Sequence, residues 1–420
     1  MAYRQAVRQM VIKRMTKPII PTAEYAARRQ ALLSELAGAA AVVFAGDGHA
    51  PLKGRWFPDR NFYYLTGIAD EPGAAVLFDP SAEDPKKQIT LFLRPVNPEV
   101  DRWDGYRDEI STHLKASTGF SHIMRNGSLA AVLTQAARRT KRLACLHAFT
   151  TYPAPVSPDL AAFRQVAERV LGVTIDDRTQ LLPTLRAGKS EAEIACMEMA
   201  IAGTTEGYAN VLKMLAPGVN EADVDAALAA GFRAKGAPEA AYNSIVGGGI
   251  RGTVLHYMAN NQELVDGELV VIDAGASYEN YASDVTRTFP INGTFTERQA
   301  EIYDVVLRSL DAGIAAATAG VTNGHIDRVC RAVIEDAGFG DYFPHGAGHP
   351  LGLDVHEAGP DGPLLPGMVI TIEPGIYIAA ENLGIRIEDD ILITDSGGIN
   401  LTGHIPRTRE QIESALRIGR

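Results

Sequence analysis

Cysteine is scarce, with three in 420 residues: Cys145, Cys196 and Cys330 stand far apart and form no CxxC pair. That excludes a disulfide-framed secreted scaffold and a thiolate zinc knuckle, and it fits a reduced, cytoplasmic setting with buried thiols. Long apolar runs are also missing. The longest, LAGAAAVVFAG at residues 36–46, has 11 residues, against the roughly 18 that mark a membrane-spanning helix. Nor is there an excess of basic charge. Forty Lys and Arg against 51 Asp and Glu give a net charge of −11, with no basic stripe interleaved with aromatics, so neither nucleic acid nor a membrane is an expected partner. The opening MAYRQAVRQMVIKRMTK is basic but lacks the apolar core of a secretory signal, and residues 1–24 read as a leader.

What is present is ordinary globular composition, 46% hydrophobic and 22% charged, in a chain long enough for two or three domains. Up to about residue 180, strand-like runs (AVVFAG, NFYYLTG, AAVLF, QITLFL, RLACL) alternate with helical stretches such as LAAFRQVAERVLG, an α/β pattern that predicts an N-terminal domain over 25–182. The texture then changes at LLPTLRAGKSEAE. Ser190 with Glu193 forms a capping box, from which an amphipathic helix runs to about Met214 and opens a second domain over 183–420.

That second domain contains an internal repeat. HYMANNQELVDGELVVIDAG at 256–275 lies on HEAGPDGPLLPGMVITIEPG at 356–375 with a constant offset of 100, which matches His256 to His356, Gly267 to Gly367 and Asp273 to Glu373. Each copy follows two predicted helices, near 190–214 and 221–235, then near 297–319 and 323–337, with Thr296 and Gln299 capping the third and Gly338 ending the fourth. Two helices and an antiparallel hairpin, used twice, predict an α+β unit with a pseudo-twofold axis.

Each copy then continues into a second acidic strand, Asp284 in SDVTRTF and Glu388 in IRIEDDILI. Pseudo-twofold packing brings Asp273, Asp284, Glu373 and Glu388 to one centre, and four carboxylates in one interior stay ionised only beside cations. The Gly-rich segment PHGAGHPLGLDVHE adds His345, His349 and His356, able to supply one nitrogen ligand and proton-handling groups. An oxygen-rich set with one nitrogen favours a pair of divalent ions, Mn²⁺ first, with Zn²⁺ or Co²⁺ also fitting. Such a pair would make hydroxide available at neutral pH and polarise a carbonyl. His49, His113, His122, His147, His325 and His404 have no comparable support and receive no role.

With LHYMANN, VVIDAG, SDVTRTFP, HGAGHPLGLDVHE, TIEPGIYI and GIRIEDDILIT in order, the second half resembles the pita-bread metallopeptidases. Residues 25–405 as a whole resemble the aminopeptidase P family, the first half through RRQALL, NFYYLTGI and WDGYRDE. The resemblance implies a pita-bread fold for the C-terminal domain. It implies that Asp273, Asp284, His349, Glu373 and Glu388 hold the metals, Asp284 and Glu388 bridging both. His256, His345 and His356 would line the substrate and stabilise the tetrahedral intermediate and the departing proline nitrogen, with Glu373 shuttling the proton. Arg386 would hold the inner pocket, Tyr377 and Val355 the proline ring, and Trp103 would reach a neighbouring subunit's site in a homodimer or homotetramer. The implied reaction is release of the N-terminal residue from Xaa-Pro-Yaa peptides. Two alternatives share the pattern in whole or part, an Xaa-Pro dipeptidase (prolidase) and a metal-free pita-bread binding protein. Pro350 and Glu357 depart from the family's usual residues, and neither removes a ligand.

Overall fold

The structure is a computed structural model that describes residues 19–46, 56–149, 154–360 and 362–419. Residues 1–18 of the leader and His49 lie outside the described residues. None of the described helices is long and apolar enough to cross a membrane. The chain divides into two compact units, one over Ile20–Arg186 and one containing Ala187–Arg420; the division falls at the end of the helix Leu181–Ala187.

In the first unit, β1 (Ala41–Phe44), β2 (Ala75–Phe78) and β3 (Ile89–Leu93) form an antiparallel meander, and β4 (His122–Arg125) joins β3 in parallel. Strands β5 (Arg142–Cys145) and β6 (Thr174–Asp177) also pair in parallel. Parallel neighbours need a long crossover, and here the helices Thr112–Thr118 and Pro158–Ala167 lie in the crossovers. The Ala40–Leu143 bridge attaches β5 to the β1 edge, so Val42, Leu77, Phe92, Leu143 and Phe163 share one core.

The segment NFYYLTG is a helix, Arg60–Thr66, rather than the strand its aromatic content predicts. Asp59 caps it by accepting from the N–H groups of Asn61 (2.9 Å) and Phe62 (3.1 Å), and Gly67 closes it at φ +67°. Arg28 and Arg29, both buried, donate to the terminal carbonyls of Tyr64 and Leu65. Helical spacing also puts Phe62 and Leu65 on one face, where both are fully buried.

The second unit repeats itself as its sequence does. Helices Glu191–Met214 and Glu221–Ala234 precede β7 (Glu239–Ala240), β8 (Ile245–Gly248), β9 (Leu269–Asp273), β10 (Ala276–Tyr278), β11 (Tyr281–Ala282) and β12 (Thr286–Pro290). Helices Glu297–Ala316 and Asn323–Asp336 precede β13 (Val369–Ile372), β14 (Gly375–Ile378), β15 (Leu383–Arg386), β16 (Asp389–Thr394) and β17 (Gly397–Asn400). Ser190–Glu193 and Thr296–Gln299 both form complete capping boxes. In each half the acid-bearing strands pair antiparallel, Asp273 opposite Thr286 and Ile372 opposite Asp389.

The halves are stitched at the centre. Glu388 N–H donates to the Thr286 carbonyl at 3.0 Å, and the Thr288 hydroxyl donates to the Arg386 carbonyl at 2.9 Å. Arg287, fully buried, pairs with the fully buried Asp389 at 2.6 Å and donates to the Glu388 carbonyl. A buried ion pair is tolerable only with its remaining hydrogens satisfied, and Thr286, Pro406, Thr402 and Ile405 supply the other carbonyls. This pair fixes the backbone on which Glu388 sits.

Candidate active site

Each acid stands where a strand begins or ends: Asp273 closes β9, Asp284 precedes β12, Glu373 follows β13, and Glu388 lies between β15 and β16. Gly275 permits the turn that brings Asp284 back to Asp273, because a Cβ there would stand 1.8 Å from the Ser283 carbonyl oxygen. His349 comes from the loop alongside β13. Thr371 N–H donates to His349 O, and Glu373 N–H to Ala347 O, both at 2.8 Å, which sets the imidazole Nε2 3.5 Å from Glu373 and 3.7 Å from Asp284.

Around the carboxylates the hydrogen bonding is dense. Arg386 Nη2 contacts Asp273 Oδ2 at 2.7 Å, Nε donates to Thr286 Oγ1 at 3.1 Å, and Nη1 to the Tyr377 hydroxyl at 3.1 Å. The Tyr377 hydroxyl is also 2.8 Å from His345 Nε2, and Thr286 Oγ1 donates to Glu388 Oε2 at 2.7 Å. The Tyr242 hydroxyl lies 2.5 Å from Oδ1 of both Asp273 and Asp284. One phenolic hydrogen cannot serve two carboxylates, so the cluster needs further positive charge or protons.

The electrostatics agree. Burial, then the neighbouring carboxylates, push Asp284 and Glu388 well above the usual carboxylate range. Glu373 is raised to about 7, mainly by burial. Burial lowers His345 and His349 to about 4, so both are neutral at pH 7. His349 Nδ1 lies 3.1 Å from the Pro350 carbonyl, which places the proton on Nδ1 and leaves the Nε2 lone pair facing the acids. Donor atoms of Asp284, His349 and Glu388 lie within 4.8 Å of one another. Crowded, buried carboxylates beside a neutral imidazole lone pair fit divalent metal ions.

All of this opens on a pocket of about 480 Å³. His256, Asp273, Asp284, His345, His349, Val355, His356, Glu373, Arg386 and Glu388 line it, His349 and His356 with ring centroids 4.2 Å apart. Tyr377 stands behind, against His345 and Arg386. Trp103 belongs to the N-terminal unit and is 89% exposed. Sequence reasoning missed Tyr242, which stands 31 residues from Asp273 in sequence and in no acidic motif, and the apolar wall of Ile245, Leu255 and Met258.

The model of metallopeptidase family M24 matches residues 195–395, and that of the aminopeptidase P N-terminal domain matches residues 25–144. Xaa-Pro aminopeptidase of Escherichia coli (strain K12) is 33% identical, covering 94% of this chain and 97% of its own. A variant of E. coli aminopeptidase P in complex with substrate superposes with a TM-score of 0.84 at 29% identity, over 95% of this chain and 99% of that one. Zn-substituted E. coli aminopeptidase P in complex with product gives a TM-score of 0.84 at 30% identity, over 96% and 99%.

Proposed function

The chain belongs to metallopeptidase family M24, and from that premise we propose that it is an Xaa-Pro aminopeptidase, releasing the N-terminal residue of peptides with proline second. The observation that carries this is the meeting of four carboxylates and a neutral imidazole lone pair in one pocket. Asp273, Asp284, His349, Glu373 and Glu388 would hold two divalent ions, Mn²⁺ by preference because four of the five ligand residues offer oxygen. When bound, the ions supply an activated water and a Lewis acid for the scissile carbonyl.

The chain's own groups do the rest. Glu373, kept ionised beside the ions, would take the proton of the attacking water and carry it to the leaving nitrogen. A bond to proline is a tertiary amide without N–H, so that nitrogen must be protonated as it departs. His256 and His356 face the pocket as donors to the developing oxyanion and the peptide, while Tyr377 orients His345. Arg386 fixes the Asp273 carboxylate through one nitrogen and is anchored through the other two. Val355, in the pocket wall, would receive the proline ring, and Tyr377, expected from sequence beside it, instead backs the wall through His345 and Arg386.

Substrate length follows from charge. Among the described residues lining the pocket, Arg386 is the one arginine and there is no lysine, and its guanidinium is committed to Asp273, Thr286 and Tyr377. No cation here is left to clamp the free carboxylate of a dipeptide. Xaa-Pro-Yaa peptides are therefore preferred over Xaa-Pro dipeptides at least several-fold in kcat/KM, about 1 kcal/mol or more. Preference for the dipeptide would make the protein a prolidase. The protein acts in the cytoplasm as a homodimer or homotetramer, with the exposed Trp103 at the subunit interface.

A further inference from the structure

Glu221 is a fully buried acid outside the pocket, the first residue of the helix Glu221–Ala234. Its carboxylate collects five hydrogen bonds from positions 27 to 41 residues away. Oε1 accepts from Gly248 N–H (3.1 Å) and Arg251 Nε (2.7 Å), and Oε2 from the Tyr257 hydroxyl (2.9 Å) and the N–H groups of Asn261 and Gln262 (both 3.1 Å). Its own N–H donates to the Gln262 carbonyl at 2.9 Å. These partners bracket a segment, 249–262, that has one short 3₁₀ turn and no strand, and so depends on side chains for its shape.

That segment carries His256, with Leu255 and Met258, into the pocket wall. His256 is exposed at the rim and has no hydrogen-bond partner among the described residues, so its position is set by the backbone beneath it. The other half of the repeat is built alike. Asp327, on the helix Asn323–Asp336, accepts from Ala347 N–H at 2.9 Å, and Arg331 of the same helix donates to the Phe343 and His345 carbonyls at 2.8 and 2.9 Å. In both halves the second helix offers an acid to the loop that bears pocket histidines.

We infer that Glu221 is a positioning residue for the proposed peptidase reaction, holding the 249–262 segment so that His256 meets the substrate. The inference rests on the peptidase reading and on the place of His256 in it. Glu221→Gln leaves one acceptor oxygen and adds two amide hydrogens where five donors converge, without touching any metal donor.

The test uses the full chain loaded with Mn²⁺. Hydrogen exchange by mass spectrometry should show amides of 249–262 exchanging at least about tenfold faster in Glu221→Gln, with β9, β12, β13 and β16 unchanged. Activity on an Xaa-Pro-Yaa peptide should fall at least about tenfold in kcat/KM, yet Glu221→Gln combined with His256→Ala should lie within about twofold of His256→Ala alone. Tyr257→Phe, which removes one of the five bonds, gives a milder version of both effects and serves if Glu221→Gln does not fold. Unchanged exchange in 249–262 overturns the positioning role whatever the activity. Faster exchange with losses that multiply overturns action through His256. Full activity of His256→Ala overturns the catalytic role on which the inference depends.

Discussion

Glutamine in place of Glu373 should make the metal-free protein more stable at pH 8, although it removes a metal donor. Burial, reinforced by Asp273 and opposed by Arg386, raises the Glu373 carboxyl from 4.5 to about 7. The folded protein therefore keeps a proton that the unfolded chain has already released. Stability from this group is fully present below about 4.5 and is lost as pH rises through about 7, a loss of about 3 kcal/mol. Gln carries no charge and escapes that loss. For a unit the size of Ala187–Arg420, about 3 kcal/mol moves Tm by roughly 6–12 °C. At pH 5 the advantage should shrink to under about 1 kcal/mol. His345 and His349, held near 4, act in the opposite sense, their contributions lost as pH falls from 6.5 toward 4. The comparison is therefore between variant and wild type at each pH. Calorimetry of exhaustively chelated protein at pH 5 and pH 8 reads the effect directly. Mn²⁺ at roughly 1,000 times its Kd for the wild type should reverse the order, since it then stabilises by about 4.1 kcal/mol. A metal-free variant less stable than wild type at pH 8, or an advantage equal at both pH values, would refute the reasoning.

Arg287→Ala leaves Asp389 buried without its partner and should cost about 3–5 kcal/mol in denaturant unfolding; a loss below about 1 kcal/mol would contradict the stitching role. The three cysteines are free and buried, with burial pushing Cys145 and Cys330 up to about 12, so Ellman's reagent should titrate them only after unfolding, and rapid native reaction would speak against this core. Trp103→Ala should raise KM more than it lowers Tm, because so exposed a side chain contributes little to its own unit; a fully active monomer in solution would rule that out.

The catalytic unit is legible in the sequence because its signals are local or repeated. The capping boxes at Ser190 and Thr296 mark helix starts within four residues, and the offset of 100 by itself aligns Asp273 on Glu373. The Arg60–Thr66 helix reads as a strand because Phe62, Tyr63 and Tyr64 favour strands by side-chain shape, a weak preference that tertiary burial overrides. Asp59 and Gly67 bracket that segment and are the better signal. Tyr242, Glu221 and the Arg287–Asp389 pair are not legible at all. Each acts across 27 to 102 residues of chain, through contacts that only the packed halves create.

The most direct test of the metal-peptidase account is a Mn²⁺ titration of exhaustively chelated protein, followed by initial rates on an Xaa-Pro-Yaa peptide. The account predicts negligible turnover without metal and a rise that saturates at two ions per chain, with Asp284→Asn flat throughout because an amide cannot neutralise two cations. Full turnover by the metal-free protein, or wild-type rates from Asp284→Asn, would contradict it.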